Sequence, residues 1–158
     1  MRKKINVIGG VMLGIVLGGV GVGKLMLDSI EERNDKVDKF KEYYNILNQW
    51  LLIRQEGMEL SKYFLDNNIS SIAIYGMGEL GNRLYAELKC STVDVKYVID
   101  QNVETVLPDI KVIGIDEPFP KVDAIVVTPV FAFEMIQEEL KNKTDIKLMS
   151  IEDIVYEI

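Results

Sequence analysis

Ile72-Ala73-Ile74-Tyr75-Gly76-Met77-Gly78-Glu79-Leu80-Gly81 is the stretch from which the architecture follows. A short apolar run, long enough for a strand buried on both faces, leads directly into G-x-G-x-x-G and then into the helix-forming residues up to Leu88. The glycines divide the work. Gly76 permits the tight turn, Gly78 lets a phosphate approach the backbone, and Gly81 lets helix and strand pack closely. The N-terminus of the helix adds unpaired N–H groups and a positive dipole. Glu79 works against an anion here, because its carboxylate answers that dipole without a ligand. Turn and packing geometry alone would also account for three glycines.

Towards the C-terminus the same alternation repeats. Strands are expected at Ser71–Tyr75, Val95–Ile99, Lys111–Gly114, Ala124–Thr128 and Ile146–Met149, with helices at Glu79–Leu88, Phe131–Lys141 and Ile151–Val155. Short apolar strands alternating with helices give an α/β fold with a parallel sheet covered on both faces. Right-handed crossovers then favour the strand order 3-2-1-4-5, a Rossmann-like three-layer domain over residues 68–158. The crevice where that order reverses lies beside Gly76 and Thr128.

Asp100 closes the second strand 19 residues after Gly81, where an acid accepts hydrogen bonds from ribose hydroxyls and disfavours a 2′-phosphate. The candidate cofactor-binding set is therefore Gly76, Gly78, Gly81, Asp100 and Thr128, with NAD or a nucleotide-sugar as the ligand class. For Thr128 the competing expectation is a cap for the helix that follows. Tyr85 and Lys89 have the Y-x-x-x-K spacing of short-chain dehydrogenases but sit on the first helix after the glycine loop, so they read as surface and packing residues. Cys90 has no histidine partner. Asp116, Glu117 and Asp123, interrupted by Pro118 and Pro120, read as solvated loop acids rather than metal ligands. No catalytic residue is assigned.

Towards the N-terminus, Ile5–Gly23 is an uncharged run of 19 residues flanked by Arg2, Lys3, Lys4 and Lys24. Helical residues rise about 1.5 Å each, so this run and Leu25–Leu27 span a bilayer core of about 30 Å, and residues 1–27 are expected to be a single-pass membrane anchor. Gly10, Gly14 and Gly18 recur every four residues, as do Gly19 and Gly23, which suits close helix–helix contact and a homodimer. Gly18–Lys24 fits G-x-x-x-x-G-K, but Leu25 stands where a P-loop needs a hydroxyl for magnesium.

Residues 28–67 read as a helical juxtamembrane region. Ile30, Val37, Tyr44 and Leu51 fall seven apart with Phe40 and Leu47 between them, an a/d pattern weakened by Arg33 and Arg54. Two arrangements suit it. One is a parallel coiled-coil stalk. The other is an amphipathic hairpin that packs the Tyr43, Trp50 and Leu51 side on the domain, with Gly57 breaking the run before a helix at Met58–Asn67.

Charge narrows the function. Of 18 Lys and Arg, four precede residue 25, which leaves 14 against 25 Asp and Glu beyond it. Such an acidic remainder argues against nucleic acid as a partner. The absence of histidine removes the commonest general base and zinc ligand. Cationic residues flank the apolar run on both sides, so charge leaves topology open. The nucleotide supply and the single free Cys90 favour a cytoplasmic domain.

Ile72–Tyr85, with Tyr97-Val98-Ile99-Asp100, Ala124–Pro129 and the ending Ser150–Tyr156, resembles the small Rossmann-like modules of bacterial surface-polysaccharide biosynthesis, which stand alone or are appended to glycosyltransferases and sugar-modifying enzymes. The resemblance covers residues 69–158. It implies a nucleotide or nucleotide-sugar fold with Gly76, Gly78, Gly81 and Asp100 at the matching positions, and a glycosyltransferase or sugar-modifying partner, without implying a reaction. Three functions follow as expectations: a membrane-tethered nucleotide-binding accessory module, an NAD-dependent oxidoreductase or sugar-modifying enzyme, and a structural scaffold.

Overall fold

The computed structural model describes residues 36–101 and 110–158. The anchor expected over residues 1–27 and its glycine repeats lie outside the described residues. Among the described residues, no helix is long and apolar enough to cross a membrane.

The chain divides into two compact units, Met1–Tyr43 and Tyr44–Ile158. In the first, residues 36–43 are helical. The second opens with helix α1, residues 44–55, and so takes in residues that the sequence assigns to the juxtamembrane region. Gly57 follows with φ of +75°, a left-handed conformation that suits glycine and separates α1 from α2, Leu60–Asp66.

Five parallel strands follow: β1 Ser71–Tyr75, β2 Asp94–Ile99, β3 Val112–Ile113, β4 Ala124–Val127 and β5 Lys147–Ser150. Their order is β3-β2-β1-β4-β5, one of the doubly wound orders that right-handed crossovers allow. Helix α3, Glu79–Leu88, links β1 to β2. Helix α4, Phe133–Leu140, links β4 to β5, and α5, Ile151–Glu157, ends the chain. The helix expected from Phe131 instead begins as a 3-10 turn, Val130–Ala132. Pro129 causes this: the Val130 amide donates to Thr128 O at 2.9 Å, a tight turn that delays regular α geometry.

Side chains alternate along each strand between the two faces. Ala73, Tyr97, Ile99, Ile113 and Ile125 form one buried face, against which Tyr75, Ile115, Phe119 and Leu148 pack. Val127, Ile136 and Leu140 extend it beneath α4. Tyr97 belongs to this face because the β1–β2 pairing shifts by one residue between Ile72 and Ala73, which turns Lys96 out to solvent. The Tyr97 hydroxyl donates to Pro120 O at 2.8 Å, and burial pushes its pKa up to about 12. Ile72, Ile74, Val98 and Val126 point the opposite way and are fully buried.

α1 contributes Ile46, Trp50 and Ile53 to the core, a stripe at helical spacing. The Trp50 indole N–H donates to Glu87 Oε2 at 2.7 Å, and the Leu60 amide donates to Glu87 Oε1 at 3.0 Å. One carboxylate on α3 thus ties down both α1 and α2. Of the side expected to pack as a hairpin, Trp50 is buried while Leu51 is exposed.

Candidate functional site

The glycine loop is built around two close approaches. Gly76 has φ of +87°, and a Cβ there would come within 2.9 Å of Pro129 Cγ. A Cβ at Gly81 would lie 2.1 Å from Gly76 O, so α3 touches the turn backbone to backbone. Both glycines are required by the fold itself. Gly78 differs from them. It has φ of −69°, which any residue adopts, and a Cβ there would meet nothing within 4 Å. Neither strain nor packing calls for glycine at this position.

Asp100 and Thr128 brace the turn from either side. Asp100 Oδ2 accepts from the Met77 amide at 2.7 Å. The Thr128 hydroxyl donates to Gly76 O at 2.8 Å and to Tyr75 O at 3.2 Å, and the side chain is buried. Thr128 does not cap α4, whose N-cap is Ala132. The parallel ladder puts the ends of β1, β2 and β4 side by side, which brings Gly76, Asp100 and Thr128 to one edge of the sheet.

A cavity of about 350 Å³ opens at this edge on the α4 side. Tyr75, Gly76, Ile99, Asp100 and Gln101 form its wall from β1 and β2. Ile115, Pro129, Met135, Ile136 and Glu139 form the opposite wall. Gly76 and Asp100 line it; Gly78, Gly81 and Thr128 do not. Apolar side chains with two carboxylates and one amide suit a flat ring system carrying hydroxyls, which is the chemistry of a nucleoside. The lining contains no Lys or Arg.

Burial, with the nearby Glu139 and Asp100 charges, raises the pKa of Tyr75 against an opposing contribution from Lys143, so its hydroxyl stays protonated and able to donate. Lys143, which does not line the cavity, is 3.0 Å from Asp116 and 3.8 Å from the lining residue Glu139, and its hydrogen bond with Asp116 raises its own pKa. Beside the loop, Glu79 has Arg83 at 3.8 Å one helical turn on, a cation that partly offsets the carboxylate placed against the helix dipole.

Other sequence candidates lie elsewhere. Tyr85 and Lys89 are on and just after α3, and neither lines the cavity. Cys90 is exposed and unpaired by disulfide. Asp116 pairs with Lys143, and Glu117 accepts from the Gly114 amide at 2.8 Å. Asp123 sits at the start of β4, at the edge of the sheet away from the glycine loop, and bonds Ser70 and Ser71. Among the described residues, no group of three or more Cys, Asp or Glu is placed to hold a metal ion.

Gln101, Ile115, Met135, Ile136 and Glu139 are lining residues that sequence reasoning did not reach. Gln101 and Ile115 follow strand ends, the positions where an open parallel sheet collects its ligand contacts, and that rule was the available signal. Met135, Ile136 and Glu139 come from α4, Glu139 from its last turn, and the rotation of that helix was not specified by the sequence alone. No family model, curated protein or solved structure matches this chain.

Proposed function

We propose that residues 44–158 bind a nucleotide, NAD or a nucleotide-sugar, as a non-catalytic accessory or regulatory module of bacterial cell-envelope polysaccharide synthesis, held at the membrane by residues 1–27. The observation that carries the binding reading is Gly78. Gly76 and Gly81 are accounted for by backbone geometry, whereas Gly78 stands exposed at the N-terminus of α3 with open space around its absent side chain. A phosphate drawn to the first N–H groups of α3 would use that space. The nucleoside would then occupy the adjoining cavity, with Asp100 within reach of its ribose. The envelope assignment and a glycosyltransferase or sugar-modifying partner rest on the family resemblance of residues 69–158.

The test is thermal unfolding of the Tyr44–Ile158 unit with NAD, NADP, ATP, S-adenosylmethionine and UDP-sugars. Beginning at Tyr44 keeps Ile46, Trp50 and Ile53 in the core. A ligand at 100 times its dissociation constant stabilises the folded state by about 2.7 kcal/mol, several degrees in midpoint. The expected result is a shift with NAD or a UDP-sugar that Gly78→Val abolishes, while its unliganded midpoint falls by no more than the loss of an N-cap glycine costs, about 1 kcal/mol. No shift with any of these ligands would sink the proposal.

A further inference from the structure

Helix α1 has a second apolar stripe that the domain does not use. Trp50 and its bond to Glu87 commit the Ile46, Trp50 and Ile53 side inward. Tyr44, Leu47 and Leu51 then face out, 68%, 37% and 56% exposed. These residues are spaced three and four apart, the a-d-a interval of a coiled-coil seam. In the first unit, Val37 and Phe40 occupy the two preceding positions of the same spacing and are 62% and 76% exposed. Arg54, the next position in the series, leaves the seam to pair with Glu59 at 3.3 Å, so the stripe ends at Leu51.

Charge indicates what covers it. The protein carries a net charge of −7, so two copies repel each other over most of their surfaces. From Tyr43 to Ile53 there is no charged residue, and the other exposed residues in that span are Asn45, Asn48 and Leu52. An acidic protein offers its own copy the least repulsion at such a place, and a heptad stripe is complementary to itself when two helices lie parallel in register. A basic partner would instead be drawn to the acidic surface elsewhere.

We propose that α1 is a self-association surface, on which a second copy of this chain packs its own Tyr44, Leu47 and Leu51 in a parallel two-helix seam. The inference is independent of nucleotide binding, because the stripe is separate from the residues that line the cavity. It gives the protein a means of presenting two glycine-loop sites together.

Disulfide trapping in the purified full chain tests it, in a Cys90→Ser background so that the introduced thiol is unique. Leu47→Cys is expected to give a covalent dimer on mild oxidation. Asn45→Cys, exposed on another side of the helix, is expected to give no covalent dimer while reacting with maleimide. Adding Leu51→Glu to Leu47→Cys should reduce the trapped dimer about tenfold, the change expected for a loss of about 1.4 kcal/mol. Trp50 fluorescence checks that each variant remains folded, since Leu47 and Leu51 are outside the core. Three results would each overturn the proposal: a monomeric Leu47→Cys chain, equal trapping at positions 45 and 47, or trapping indifferent to Leu51→Glu. A Leu47→Cys thiol shielded from maleimide in a monomer would assign the stripe to another segment of the same chain, and would equally overturn it.

Discussion

Asp100 at the end of β2 accepts a 2.7 Å hydrogen bond from the Met77 amide, so the acid expected to meet a ribose also fastens the glycine loop. Replacing it therefore disturbs the fold as well as the site. Asp100→Ala leaves the Met77 N–H without its charged acceptor and should cost about 1.5–3 kcal/mol in urea unfolding, with or without ligand. Asp100→Asn retains a carbonyl oxygen in the same place and should cost less than about 1 kcal/mol. Ligand affinity is accordingly read on the asparagine variant. Equal losses in the two variants would show that the bond to Met77 contributes little.

The three loop glycines should separate cleanly under substitution. Gly81→Ala puts a Cβ 2.1 Å from Gly76 O, a backbone atom that has no room to retreat. We expect a loss of about 3 kcal/mol or more, at or beyond the upper end of ordinary overpacking. Gly78→Ala meets open space, and the N-cap position tolerates the change at a cost of about 1 kcal/mol or less. Thermal midpoints of the two unliganded variants check this ordering. A reversed ordering would remove the structural basis for treating Gly78 as a ligand position.

The sheet was legible because its signals are local. Strands of mostly apolar residues alternate with helices, and handedness then limits the parallel sheet to a few doubly wound orders, of which β3-β2-β1-β4-β5 is the one found. Gly76, Asp100 and Thr128 could be brought to one edge for the same reason. What could not be read was which atoms they bond: Asp100 to Met77 is a contact across 23 residues, and Thr128 to Gly76 one across 52. Helix α1 failed to resolve for a different reason. It carries two apolar stripes, Ile46-Trp50-Ile53 and Tyr44-Leu47-Leu51, and periodicity scores both without saying which one meets the domain. The choice depends on Glu87, a residue on another helix with no marker in its own neighbourhood.

Glu87 consequently becomes a site where a single polar residue controls the docking of two helices. Its side chain is mostly buried, with Arg54 Nη1 3.6 Å away in addition to the Trp50 and Leu60 donors. Glu87→Ala strands both donors and should destabilise the unit by about 2–3 kcal/mol. Glu87→Gln has one acceptor oxygen for two donors and should fall between the alanine variant and the native protein. Urea unfolding followed by Trp50 fluorescence measures both, because the indole is itself one of the partners. A glutamine variant as stable as the native chain would mean that only one of the two bonds matters.

Asp123 makes a pH-dependent contribution to the fold. Its Oδ2 accepts from the amides of Ser70 at 3.0 Å and Ser71 at 2.9 Å and from both hydroxyls, which joins the start of β4 to the start of β1. The Ser70 amide bond, followed by those from the Ser71 hydroxyl, the Ser71 amide and the Ser70 hydroxyl, lowers the carboxyl pKa from 3.8 to about 2. In the unfolded chain that carboxyl returns to its ordinary value, so across this interval the unfolded state binds more protons than the folded one. Its contribution is complete above the unfolded pKa and is lost as the pH falls towards about 2. Urea midpoints of the native protein and of Asp123→Asn should therefore differ most near neutrality and converge as the pH falls from about 4 to about 2. Ser70→Ala and Ser71→Ala should each remove part of the same pH-dependent difference. A gap between native and Asp123→Asn proteins that stays constant from neutrality into acid would assign the acid sensitivity to a different carboxylate.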